Sequence, residues 1–120
     1  MDNNLLVVGG SGFIGSSITE EALKQGYNVT VVSKGNVPLE KQTKRVTYIS
    51  VDIANKNDLS IELDKNHFNY VINLAGYVDH SDYFDGGDEV VNVHLTGTLN
   101  LISCINKKHL IRFVQIGSSD

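Results

Sequence analysis

Five short apolar runs rich in valine and isoleucine recur along the chain, separated by stretches that are apolar only every third or fourth residue. The runs are Leu5 to Val8, Val29 to Val32, Val46 to Val51, Tyr70 to Leu74 and Ile111 to Ile116. Continuous apolar runs of this length, without strict alternation, suit strands buried on both faces of a sheet, and such strands are usually parallel. After the first run, Ile14, Ile18, Ala22 and Gln25 recur at a spacing near four, and Gly26 stands at a helix C′ position, which predicts a helix. After the third run, "NKNDLSIELDKN" predicts a shorter, more polar helix, with Asn57 or Asp58 as its cap and Leu59 and Leu63 on one face. After the fourth run, Val91, Leu95 and Leu99, with Thr98, Ile102 and Ile105, sustain one apolar stripe through a helix over residues 88 to 107. The stretch before it, "YVDHSDYFDGGD", reads as a loop because of its acidic residues and paired glycines.

Strand, helix, strand, turn, strand, helix, strand, helix, strand is the order of an α/β, doubly wound parallel sheet with right-handed crossovers. The expected strand order is 3-2-1-4-5. That order puts a switch point between strands one and four, where such folds bind ligands.

Composition narrows the function without choosing it. A chain of 120 residues with 41% hydrophobic and 20% charged residues is the size and composition of one globular domain. The net charge of −4, with no run of lysine or arginine, provides no basic stripe for a phosphate backbone and excludes nucleic acid as a partner. No apolar stretch approaches the roughly 18 residues of a membrane span, and the start lacks a basic n-region, so a cytoplasmic protein is expected. The lone Cys104 sits among apolar residues and reads as a small buried hydrophobe. His67, His80, His94 and His109 show no metal-ligand spacing with one another or with Cys104, and no metal is expected.

The first strand runs straight into "GGSGFIG", with glycines spaced Gly9-x-x-Gly12-x-x-Gly15. A glycine-rich turn between a buried strand and a helix is where backbone N–H groups and the helix dipole meet an anion. Gly9 permits the tight turn off the strand, Gly12 lets a pyrophosphate approach the backbone, and Gly15 lets the helix sit close to the sheet. At the end of the second strand stand Ser33, Lys34, Gly35 and Asn36, with no carboxylate to repel a 2′-phosphate. Lys34 can neutralise such a phosphate, while Ser33 or Asn36 donates a hydrogen bond, so NADP is slightly favoured over NAD.

"VGGSGFIG" resembles the T-G-x-x-G-F-I-G fingerprint of the extended short-chain dehydrogenase/reductase family, the nucleotide-sugar epimerases and dehydratases, with Val8 in place of the threonine. The resemblance extends along the whole chain. It implies that Gly9, Gly12, Phe13, Ile14 and Gly15 form the cofactor turn, that Asp52 bonds the adenine amino group and that Ile53 lies beside that ring. A simple turn-capping role for Asp52 is the competing reading. "NLAG" implies that the backbone of Leu74, Ala75 and Gly76 passes under the cofactor ribose and pyrophosphate. "VVNVHLTGTLNLI" is similar to the family's N-x-x-G-T-x-x-L-L helix and implies a supporting role for Asn92, although its spacing to Gly97 is longer than the family's commonest form.

The last run ends in "IGSSD". In the resembling family a serine there orients the substrate oxygen, beside a tyrosine acid/base whose lysine partner lies four residues on. Ser118 takes that serine role by preference, with Ser119 as the second candidate. No Tyr-x-x-x-Lys occurs, because Tyr27, Tyr48, Tyr70, Tyr77 and Tyr83 are followed four positions later by Val31, Asp52, Leu74, Ser81 and Gly87. Residues 1–120 are therefore expected to be the NAD(P)-binding part of a longer enzyme acting on a nucleotide sugar or similar hydroxyl-bearing metabolite. The resemblance also implies a homodimer formed through helices following strands four and five. A catalytically silent dinucleotide-binding sensor or scaffold is the alternative.

Overall fold

The computed structural model describes residues 3–9, 13–74 and 87–116, with Phe13 and residues 87–95 described by their backbone alone. Five strands, β1 (Asn4–Val8), β2 (Asn28–Ser33), β3 (Val46–Ser50), β4 (Tyr70–Asn73) and β5 (Arg112–Gln115), form one sheet. Their order is β3-β2-β1-β4-β5, and every pairing is parallel. Helix α1 (Phe13–Lys24) joins β1 to β2, α2 (Lys56–Leu63) joins β3 to β4, and α3 (Gly87–Cys104) lies between β4 and β5. A single 3-10 turn, Leu39–Lys41, is the regular element between β2 and β3 among the described residues.

Alternate residues of the central strand feed two cores. Leu6 and Val8 point to one face, where they meet Leu59 and Leu63 of α2 and Leu101 of α3, with Ile105 just beyond that helix. Leu5 and Val7 point to the other, where Ala22 of α1 is buried and Ile18 and Leu23 pack from the same helix. A run of four apolar residues is what a strand covered on both sides requires, and Leu5 to Val8 are all at most 5% exposed.

Not every apolar run is covered in this way. β3 and β5 sit at the sheet edges, and their residues are half-buried or exposed throughout. Two-sided burial therefore holds for the central strands and fails at the edges, because a run's composition does not record how many neighbours its strand will have. Among the described residues, an apolar cleft of about 330 Å³ beside α1, lined by Leu5, Ile18, Tyr27, Tyr70, Ile72 and Val114, marks where β4 and β5 have no helix packed on that face.

Helix periodicity is corrected in three places. In α1 the buried side is Gly15, Thr19 and Ala22, whereas Ile14 is exposed. The cap of α2 is Asn55, ahead of both expected residues, and its Oδ1 accepts the Asp58 backbone N–H at 3.2 Å. Of the stripe expected in α3, Ile105 just beyond the helix end is buried as expected, whereas Leu99 and Ile102 are exposed and Gly97 and Leu101 are buried in their place. This helix is apolar on two sides, and spacing alone cannot rank them. The end of α1 follows expectation. Gly26 sits at φ 90, and the Tyr27 and Gly26 N–H groups donate to the carbonyls of Ala22 and Leu23 in a Schellman closure. Cys104 is half-buried, with its Sγ 3.8 Å from the Lys56 carbonyl. Among the described residues no helix is long and apolar enough to cross a membrane.

Candidate functional site

The C-terminal ends of the strands stop nearly level, and their last backbone bonds show where the chain leaves the sheet. Gly9 N–H donates to the Val32 carbonyl at 2.7 Å, Val51 N–H to Ser33 at 2.9 Å, Leu74 N–H to Val8 at 2.8 Å and Ile116 N–H to Asn73 at 3.0 Å. Each strand thus hands its chain to a loop on the same rim. β1 and β4 are neighbours with connections running to opposite faces, so the switch point lies between them.

Gly9 opens the first of these loops at φ 77, in the left-handed region that side chains with a Cβ disfavour. Four residues later α1 begins at Phe13, whose first turn leaves backbone N–H groups without intrahelical partners. Gly15, in the first turn of α1, is buried. Gly12 lies outside the described residues.

At the end of β2 the Ser33 hydroxyl donates to the Gly35 carbonyl at 2.8 Å, so its proton shapes the turn and its oxygen remains an acceptor. Ser50 Oγ donates to the Lys34 carbonyl at 3.2 Å and ties the same turn to β3. Lys34 Nζ lies 3.9 Å from Asp52 Oδ2; with side chains 83% and 43% exposed, this pair is a weak, water-screened attraction. A polar cleft of about 610 Å³ opens beside this turn, bordered by Ser16, Ser33, Lys34, Asn36, Lys41 and Thr43. Lys41 was missed in the sequence, since nothing in linear spacing shows that a loop will bring it to the same cleft. The Tyr48 hydroxyl accepts the Thr43 N–H at 2.8 Å and holds that loop against β3.

At the end of β3, Asp52 Oδ1 accepts the Ala54 N–H at 2.9 Å, and the Asn55 N–H donates to the Asp52 carbonyl at 2.9 Å. The turn-capping reading of Asp52 is therefore realised, while its Oδ2 is left facing Lys34. Ile53 is half-buried and packs on the α2/α3 core. At the end of β4, Asn73 is fully buried, and its Nδ2 donates to Gln115 Oε1 at 2.8 Å and Thr98 Oγ1 at 3.2 Å. The Leu74 side chain belongs to the core under α1, which leaves only its backbone for a ligand. Asn92 falls within α3, on a part described by backbone alone. Ala75, Gly76, Ser118 and Ser119 lie outside the described residues, as do His80, Tyr77, Tyr83 and Phe84.

His67 and His109, unrelated in sequence, have their rings 4.4 Å apart. They stand before β4 and β5, at the end of the sheet opposite the glycine turn. Among the described residues no three potential metal ligands gather.

A parallel sheet in this order, with a left-handed glycine just after its first strand and a helix beginning four residues on, defines a Rossmann-type nucleotide-binding fold. Residues 5–120 match the NAD dependent epimerase/dehydratase family, and the chain belongs to that family. It is 32% identical over 111 residues to a UDP-N-acetyl-alpha-D-glucosaminuronate decarboxylase of Bacillus cytotoxicus, covering 89% of this chain and 34% of that protein. It is 26% identical over 122 residues to a bifunctional UDP-glucose 4-epimerase and UDP-xylose 4-epimerase of Pisum sativum, covering 92% and 35%. The structure of Thermus thermophilus UDP-glucose 4-epimerase in complex with NAD superposes with a TM-score of 0.75 at 28% identity, covering 84% of this chain and 33% of that one. The chain thus spans about a third of the length of the curated relatives it matches. These relatives are enzymes, and they lend no support to a silent sensor or scaffold.

Proposed function

We propose that this chain supplies the NAD(P)-binding part of a cytoplasmic enzyme that epimerises, dehydrates or otherwise oxidises and reduces a nucleotide sugar. The observation that carries the reading is the left-handed Gly9 at the switch point, four residues ahead of the start of α1. In this reading the Gly9, Gly12 and Gly15 turn and the N-terminus of α1 hold the pyrophosphate, with Phe13 and Ile14 opening the helix. Asp52 and Ile53 meet the adenine, and the backbone of Leu74, Ala75 and Gly76 passes beneath the ribose and pyrophosphate, supported by Asn92. The bound nicotinamide supplies hydride acceptance and donation. Ser118, or else Ser119, orients the substrate oxygen. No Tyr-x-x-x-Lys pair is present in residues 1–120, so these residues bind the dinucleotide without turning over substrate.

NADP is favoured over NAD on electrostatic grounds, since Lys34 and Lys41 both border the polar cleft and no carboxylate lies among residues 33–36. Asp52 beside Lys34 tempers this preference. In parallel calorimetric titrations with NADP, NAD and adenosine diphosphate, both dinucleotides should bind, NADP more tightly. Lys34→Glu should weaken NADP by about tenfold and leave NAD nearly unchanged, as expected when one charge-assisted contact to a phosphate is replaced by repulsion. A folded chain that binds none of the three ligands would sink the cofactor assignment; equal loss of NAD and NADP would sink the role of Lys34.

A homodimer through α3 is also part of this reading, supported by exposed Leu99 and Ile102 on that helix. Sedimentation should give twice the chain mass of 13.2 kDa, and Leu99→Glu should return it to the single-chain value. A monomer at tens of micromolar would rule this interface out.

A further inference from the structure

Helix α3 reaches the rim of the sheet at one place that the dinucleotide reading leaves unexplained. The Asn100 side chain spans from α3 to the turn after β3, where its Nδ2 donates to the Ile53 carbonyl at 2.9 Å and to the Ala54 carbonyl at 3.2 Å. Two carbonyls that would otherwise need water are held by one amide from a separate element. One turn of α3 earlier, Gly97 is buried against the same segment. A Cβ added there would lie 2.6 Å from both Cδ1 and Cγ1 of Ile53, closer than carbon atoms approach. The helix backbone therefore seats the Ile53 side chain while Asn100 holds the carbonyls above it.

The turn's internal bonds explain its shape but not its position. Asp52 Oδ1 to Ala54 N–H and Asn55 N–H to the Asp52 carbonyl would persist if the whole turn swung as a unit. What fixes it relative to the sheet is contact with something outside it. Asn100 and Gly97 lie 46 or more and 44 residues away in sequence from the segment they hold, on the same side of α3 as the core residue Leu101. A buried leucine next to Asn100 makes the helix a rigid mount.

We propose that Asn100 and Gly97 form a clamp that positions the Asp52–Ala54 turn against the adenine end of the dinucleotide, so that α3 sets cofactor affinity without touching the cofactor. This rests on the dinucleotide-binding reading given above. Asn100 is a positioning residue acting through Asp52 and Ile53. Its loss should therefore be felt most by ligands that use the adenine 6-amino group.

The test compares the wild-type chain with Asn100→Leu and Gly97→Ala in two measurements. The first, hydrogen exchange without ligand, should show faster exchange in both variants at Val51, whose N–H ties the start of this segment to the Ser33 carbonyl of β2, with the β1 and β4 amides unchanged. The second is calorimetric affinity for NAD and for nicotinamide hypoxanthine dinucleotide, in which a carbonyl replaces the adenine amino group. Wild type should prefer NAD, whereas Asn100→Leu should lose about tenfold for NAD and under about twofold for the hypoxanthine analogue, so the preference collapses. Gly97→Ala should follow the same pattern if Asn100→Leu fails to fold. Unchanged exchange in folded variants overturns the clamp. Equal weakening of both dinucleotides overturns its link to adenine, because a general loss of structure does that. A folded wild-type chain with the expected exchange pattern but no affinity for either dinucleotide overturns the cofactor reading itself, and the clamp's task with it.

Discussion

Gly9→Val is expected to abolish dinucleotide binding while leaving a folded chain. Gly9 sits at φ 77, and its N–H is pinned to the Val32 carbonyl at 2.7 Å, so the backbone cannot relax to negative φ without breaking the ladder at the end of β1. A left-handed conformation costs an ordinary residue about 1–2 kcal/mol, and a β-branched one more. The same substitution places a branched side chain at the entry to α1, where an anion would approach backbone N–H groups. Strain and obstruction together should lower NAD and NADP affinity at least about a hundredfold, against a loss in Tm of about 5–8 °C from the backbone strain alone. Gly9→Ala separates the two effects, since it keeps most of the strain and removes most of the bulk. A Gly9→Val chain that melts near wild type and still binds NAD would show that this turn does not hold the phosphates.

Leu101→Ala should have the largest effect on stability of any single truncation among the described side chains of α3. Leu101 is completely buried, in one cluster with Leu6 and Val8 of the central strand, Val71 of β4 and Leu59 of α2. Removing such a side chain costs about 2–5 kcal/mol through lost transfer energy and the cavity left behind. At about 3 kcal/mol, Tm should fall by about 10 °C in a domain of this size. Measured at concentrations low enough to keep the chain monomeric, Leu99→Ala, on a residue 58% exposed in the same helix, should stay within about 0.5 kcal/mol of wild type. Comparable losses from both would mean that α3 is rotated relative to the arrangement described here.

The contrast between those two leucines shows where the sequence stops being informative. Leu99 and Ile102 of the expected stripe look as fit for burial on paper as Gly97 and Leu101, and fitter by hydrophobicity. The fold chose the second face because Gly97 lets α3 come within contact of Ile53, and no periodicity records a backbone approach. The cap of α2 was misplaced for a related reason. Asn55, Asn57 and Asp58 are all suitable cap residues, and the turn built on Asp52 decides which of them arrives in extended conformation at the first helical turn.

What the sequence determined by itself was the architecture and the location of the site. Five apolar runs separated by helix-forming stretches admit a parallel sheet with a switch point between β1 and β4, and the glycine spacing marks that point because glycine adopts the left-handed turn there at the least cost. These signals are local, each carried by a few consecutive residues. The tertiary structure alone decided which face of α3 packs and which distant groups meet at the rim. Lys34 with Asp52, Lys41 in the polar cleft, and Asn100 on the Ile53 and Ala54 carbonyls are pairings across loops and crossovers. Their distances depend on how helices seat against the sheet, and seating is set by packing of the whole core, not by any one segment.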